Sequence, residues 1–181
     1  MVRMRKLWLA AAFAAFVAPA GYAQVGAPTL SAITADIVKS GGGKIGSVEL
    51  SDGPTGVLVR VEVSGLTPGW HAMHFHAVAD CSDEGFQKSG AHINHAMDKK
   101  PHGLLNPDGP DFGELTNFFV GADGTAKAET FTALVKLGSE STRANLLDAD
   151  GSALVIHANA DDHFTQPIGG AGARVACAVI R

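Results

Sequence analysis

The sequence predicts an all-β fold, a sandwich or barrel, on three observations. Apolar, β-branched runs of about 4–8 residues recur along the chain with Gly, Pro and Asp turns between them. The composition is rich in glycine (22) and poor in charge (18%), which suits a turn-rich β protein better than a helical one. In Trp70-His71-Ala72-Met73-His74-Phe75-His76 the last four residues alternate apolar and histidine. Successive side chains of an extended strand point to opposite faces, so His74 and His76 share one face and Met73 and Phe75 the other. With 181 residues, the chain is long enough for one domain with a core of its own.

The N-terminus reads as an export signal. Arg3, Arg5 and Lys6 precede the apolar run Leu7 to Val17, Pro19 and Gly21 break it, and small residues surround a cleavage point near Ala23. The run is short for a membrane span, and no 18-residue charge-free apolar stretch follows it. The expected division is a signal peptide over 1–23 and one domain over 24–181. Cleavage removes three of the 14 Lys and Arg, leaving 11 against 18 Asp and Glu, a formal charge of −7. Such a chain is not expected to bind nucleic acid.

The strands follow in order. Leu30 to Val38 alternates in part, Gly41-Gly42-Gly43 turns, and Lys44 to Leu50 returns as the second arm of a hairpin. After the Gly53-Pro54 turn, Val57 to Val63 is a β-branched strand. Leu66-Thr67-Pro68-Gly69 turns into the histidine strand. From Val78 to Leu115 periodicity stops, and a loop of that length in a compact domain is usually functional or disordered. Strands resume at Leu115 to Val120, Ala126 to Leu134, Ala153 to Ala158 and Ala173 to Ile180, with a second loop over Asn159 to Gly172. Val135 to Leu147 has no clear pattern.

Export makes the two cysteines informative. In an oxidising compartment Cys81 and Cys177 most simply form one disulfide, tying the long loop to the last strand. The histidines point to metal. All eight lie between His71 and His163. His74, His76 and His157 sit on strands or at their ends, His92 can add a fourth imidazole, and the loop holds His95, His102, Asp108, Asp111 and Glu114 besides. An all-imidazole set without thiolate suits copper or zinc, and a tetragonal four-imidazole arrangement suits Cu(II).

From about Leu30 to Arg181 the chain resembles a bacterial, exported copper/zinc superoxide dismutase. The resemblance rests on His71-Ala72-Met73-His74-Phe75-His76, Gly90-Ala91-His92-Ile93-Asn94, Pro101-His102-Gly103, Leu154-Val155-Ile156-His157 and Gly172-Ala173-Arg174-Val175-Ala176-Cys177, found in that order. It implies an eight-stranded Greek-key β-barrel, or flattened sandwich, with the site outside it under two long loops. It implies copper on His74, His76, His92 and His157, with His92 bridging to a second metal, zinc. His71 would brace the loops, Asp161 would link a copper-side to a zinc-side histidine, and Arg174 would attract the substrate anion. The implied activity is dismutation of superoxide to oxygen and hydrogen peroxide through a copper redox cycle. His92 would take a proton when it releases copper. The implied location is the periplasm, as a monomer or a homodimer.

The sequence departs from the family at the second metal. The family pattern there is His-x-Gly-Asp-Leu-x-Asn, and this chain has Asp111-Phe112-Gly113-Glu114-Leu115-Thr116-Asn117. His92, His102, Asp111 and Glu114 can still make a zinc set, since zinc accepts carboxylates; the alternatives are a weak site, another divalent ion or an empty site. His95 is a spare candidate ligand, and His163 is expected at the surface. Superoxide is an anion and the chain is acidic, so fast encounter requires local positive charge. Arg174 supplies one such charge, and Lys88, Lys99 and Lys100 are candidates for more. The alternative function is a copper-binding or copper-delivery protein on the same scaffold, against which the anion-attracting Arg174 argues.

Overall fold

The structure, a computed structural model, describes residues 31–138 and 142–181. The expected export signal and Leu30 lie outside the described residues. Among them are eleven strands: β1 (Ala32–Lys39), β2 (Lys44–Gly53), β3 (Gly56–Ser64), β4 (Gly69–His71), β5 (Met73–His76), β6 (Phe118–Val120), β7 (Thr125–Thr132), β8 (Val135–Lys136), β9 (Ala144–Asn145), β10 (Ser152–His157) and β11 (Arg174–Ile180). One turn of 3₁₀ helix, Gln87–Ser89, interrupts the long loop.

Seven strands form one antiparallel sheet in the order β5-β10-β11-β1-β2-β3-β7. Its two ends meet through β4 and β6. β4 pairs with β6 and runs on into β5, while β6 turns through Gly121–Gly124 into β7, with the Gly121 N–H on Thr125 O at 2.9 Å. The sheet therefore curls round on itself. Taking β4 and β5 as one strand, and setting aside the two-residue pair β8/β9, leaves eight strands with Greek-key crossings from β3 to β4 and from β7 to β10. The unpatterned stretch after Val135 holds that small parallel pair.

The histidine strand is divided at Ala72 for a physical reason. Its first half pairs with β6 and its second with β10, so the backbone must change partners between them. Ala72 fills the gap by donating to Asn159 O at 2.8 Å and accepting from the His157 N–H at 2.9 Å. No backbone group is left unpaired there, as a buried segment requires.

The period-2 pattern decides what each face of β5 does. Met73 and Phe75 enter one apolar core with Ile37, Val48, Val59 and Val61, while His74 and His76 point the other way and are equally buried. A second, smaller cluster lies on the far side of the sheet, where Phe86 of the long loop covers Val155 and Cys177. There Cys81 and Cys177 form the disulfide, with 5.8 Å between their Cα atoms. It pins the start of the long loop to β11.

The disulfide closes a loop across a sequence separation of 96. On the chain-entropy model such a closure contributes about 4–5 kcal/mol. Replacing both cysteines (C81S with C177S) is expected to lower the free energy of unfolding by about 2–5 kcal/mol, read from urea melts of the metal-free protein.

Candidate metal centre

β5 supplies two imidazoles and its neighbours supply the rest. β10 lies beside it with Val155 opposite His74, and ends in His157. A register shift between Ile156 and His157 places His157 opposite Arg174 of β11. The other edge of β5 is covered by the long loop. The Phe75 N–H donates to Gly113 O at 2.8 Å, the Ile93 N–H to Phe75 O at 3.0 Å, and the Ala77 N–H to Ala91 O at 2.9 Å. These bonds seal an edge that would otherwise expose unpaired backbone. They also bring His92 opposite His76 and Glu114 opposite His74. Gly113 is required at this seam, because a Cβ there would lie 2.5 Å from Phe75 O.

His74, His76, His92 and His157 converge, each offering one ring nitrogen, and those atoms lie within 4.8 Å of one another. The opposite nitrogen of each ring is held. His74 Nε2 bonds Asp161 Oδ2 (2.9 Å), His76 Nδ1 bonds Gly90 O (2.9 Å), His92 Nδ1 bonds Asp111 Oδ2 (3.1 Å) and His157 Nδ1 bonds Gly172 O (3.1 Å). The held nitrogens of His74, His76 and His157 face acceptors and carry the ring proton, while His92 Nδ1 faces the carboxylates of the neighbouring cluster. The nitrogens left over, His74 Nδ1, His76 Nε2, His92 Nε2 and His157 Nε2, are buried and have no hydrogen-bond partner. Four lone pairs aimed at one point in a dry site are a cation site by chemistry, and their all-nitrogen character suits copper.

A second cluster adjoins the first. His92, His102, Asp111 and Glu114 also offer atoms within 4.8 Å of one another, so His92 belongs to both. Asp111 Oδ1 is fixed by the Gly113 N–H (2.8 Å) and Glu114 Oε1 by the Gly103 N–H (3.1 Å), while Glu114 Oε1 also lies beside His102 Nδ1. Glu114 Oε2 is buried without a partner. Two imidazoles and two carboxylates fit zinc.

Asp161 ties the clusters together. One oxygen accepts from His74 Nε2, the other from His102 Nε2 at 3.0 Å. Its own backbone is gripped by Asn117, whose Oδ1 accepts from the Asp161 N–H (2.9 Å) and whose Nδ2 donates to Asp161 O (2.8 Å). Gln166 does the same for His102, accepting from its N–H (3.0 Å) and donating to its carbonyl (2.8 Å). His71 faces His157 O (2.6 Å) and Thr67 O (2.8 Å) through its two ring nitrogens, joining the turn before β4 to the end of β10.

The electrostatics of the two clusters differ in sign. Burial lowers the pKa of His74, takes His76 well below its ordinary value, and lowers His157 to about 3. These rings are neutral and present lone pairs. Burial also opposes charge on His92 and His102, but the carboxylates outweigh it. Asp111 and Glu114 raise His92, and Asp161 and Glu114 raise His102 to about 10. Glu114, against the same burial, is held down to about 2 by His102 and His92, and Asp161 far below the usual carboxylate range by His102 and His74. The carboxylate cluster thus favours positive charge whether carried by a proton or a metal ion.

Arg174 donates from Nη1 to Phe86 O (2.7 Å) and Ser89 Oγ (3.1 Å), so the disulfide-pinned loop sets its position. It lines a cavity of about 370 Å³ together with His76, His92, Lys99 and Lys100. Lys100 is paired with Asp98 at 2.7 Å. Lys88 bonds Ser82 and is not among the lining residues.

Two expectations need correction. His95 joins neither cluster; it stacks on Phe112 with ring centroids 3.7 Å apart. His163 is not a bare surface residue, since its ring lies against Asp161 and Asn117. Asn117 stood in the sequence only as the last residue of the family pattern, without its role, and Gln166 not at all, because a two-bond amide grip on a distant backbone leaves no local signal.

A family model described as copper/zinc superoxide dismutase (SODC) matches residues 44–180. A superoxide dismutase [Cu-Zn] of Caulobacter vibrioides is 56% identical over 146 residues, 80% of this chain and 83% of that protein. The crystal structure of a SOD-like protein from Bacillus subtilis superposes with a TM-score of 0.76 at 32% identity, covering 82% of this chain and 97% of that one. The Cu/Zn superoxide dismutase from Brucella abortus gives 0.66 at 26% identity, over 83% and 100%.

The seam at Gly113 generates a test. Gly113→Ala forces Phe75 O and His92 apart, and the variant is expected to lose about 1–3 kcal/mol of stability in denaturant melts of the metal-free protein.

Proposed function

The chain belongs to the copper/zinc superoxide dismutase family and catalyses superoxide dismutation, and from that premise we propose how its own residues carry the reaction and where it acts. The observation that carries the proposal is the set of four buried, unpartnered ring nitrogens with Arg174 opposite His157. His74, His76, His92 and His157 hold copper. His92, His102, Asp111 and Glu114 hold zinc. Bound copper supplies one-electron exchange, by which one superoxide is oxidised to oxygen while a second, with two protons, is reduced to hydrogen peroxide.

The protein's residues do the remainder. Arg174 keeps its charge at any working pH and presents a planar fork of donors to the anion. Its contacts to Phe86 and Ser89 use Nη1 and fix the guanidinium at the cavity wall. Lys99 also lines the cavity, as does Lys100 with its ammonium paired to Asp98. His92 Nε2 is the atom that takes and returns a proton, since its Nδ1 is committed to the carboxylate side. Asp161 keeps His74 and His102 oriented, as outer hydrogen bonds do for metal ligands. Residues 24–181 form the mature protein, exported to the periplasm, where it removes superoxide at the cell envelope.

Two measurements test the assignment on copper-loaded protein. Arg174→Gln is expected to lower the rate constant for superoxide decay by about tenfold or more with copper content unchanged; an unchanged rate would remove Arg174 from the reaction. Raising ionic strength is expected to slow the wild type, and more weakly a Lys99→Gln, Lys100→Gln variant. A rate that stays level or climbs with salt in the wild type would rule out local steering.

A further inference from the structure

We infer that His163 is a positioning residue that holds the Asp161 carboxylate in register with both ring clusters; the inference rests on those clusters being metal centres. Among the described residues, two that are not glycine have a left-handed backbone, Phe86 (φ 52) and His163 (φ 62). Side chains rarely adopt that conformation, and where they do the surroundings over-determine it, most often at functional sites. Both residues serve the site through the backbone group so exposed. The Phe86 carbonyl takes the Arg174 guanidinium, and the His163 N–H donates to Asp161 Oδ1 at 2.6 Å.

The His163 ring acts on the other oxygen. Asn117 has its amide orientation fixed by its two bonds to the Asp161 backbone, so its Nδ2 is a donor, and it lies 3.3 Å from His163 Nε2. Nε2 therefore accepts, and the proton of the neutral ring sits on Nδ1. Nδ1 is closed off from solvent and has no hydrogen bond, and it faces Asp161 Oδ2 at 3.4 Å. Each carboxylate oxygen of Asp161 thus meets one imidazole of a metal cluster and one group of His163.

The carbonyl of His163 completes a three-way tie. It accepts from the Leu105 N–H at 3.0 Å and crowds Gly103, where a Cβ would lie 2.3 Å from it. His163 joins the loop that follows β10, the segment next to His102, and the side chain of Asn117. Removing the ring takes away the group facing Oδ2 and the acceptor of the Asn117 amide, which loosens the carboxylate that His74 and His102 share.

The test uses His163→Asn, since asparagine tolerates the left-handed backbone and lacks the imidazole. His163→Gly, which adopts it freely, is the second variant should the first not fold. Zinc affinity of the copper-loaded protein is measured by chelator competition, and the Cu(II) site by electron paramagnetic resonance. Zinc affinity is expected to fall about tenfold or more, with altered Cu(II) hyperfine parameters. A variant with wild-type zinc affinity and a wild-type Cu(II) spectrum would overturn the inference while leaving the metal centres standing. A wild-type protein that binds neither metal would overturn the reading beneath it, and the inference with it.

Discussion

Four imidazole nitrogens are buried facing one another with no hydrogen bond among them. A buried polar atom without a partner is costly, and four together are tolerated only where something else supplies the interaction. The surrounding structure serves this arrangement. The opposite nitrogen of every ring is anchored, so no ring can rotate to relieve the others. β5 presents His74 and His76 with a fixed face because Met73 and Phe75 are locked into the core behind them. The barrel is thus a rigid frame for one edge strand whose outer face must stay dry.

The long loops meet that requirement through backbone geometry. The first closes the edge of β5 and delivers His92 and Glu114 by register. The second returns across the site and is fastened by amides, Gln166 on His102 and Asn117 on Asp161. The disulfide reaches the same site indirectly: it pins the loop whose Phe86 carbonyl holds Arg174. Loss of the disulfide therefore bears on the position of Arg174 as well as on stability.

What could be read from the sequence follows from the range of each interaction. The period-2 alternation of Met73, His74, Phe75 and His76 is local, so the shared face of the two histidines was evident at once. Residue types at fixed spacing carried the family resemblance, including the departure at Asp111 and Glu114. The break at Ala72 was not legible, because it reflects a change of pairing partner between β6 and β10. Nor was the place of His163, whose contacts join loops far apart in sequence. His95 lies close to His92 in the chain, yet it stacks on Phe112 because the loop turns away from the cluster. Proximity in sequence was a poor guide inside the loops and a good one on the strands.

The carboxylates at the second cluster give it a character of its own. Asp111 and Glu114 raise His92, and Asp161 and Glu114 raise His102, while burial keeps His76 and His157 low. His92 stands between the two, with one nitrogen in each. The most direct measurement is metal content and superoxide decay after reconstitution with copper alone and then with copper plus zinc. One copper per chain is expected, in a four-nitrogen Cu(II) environment that sustains dismutation, with a change in that Cu(II) spectrum when zinc enters the site that shares His92. Copper bound one to one without turnover, or a Cu(II) spectrum untouched by bound zinc, would contradict this expectation.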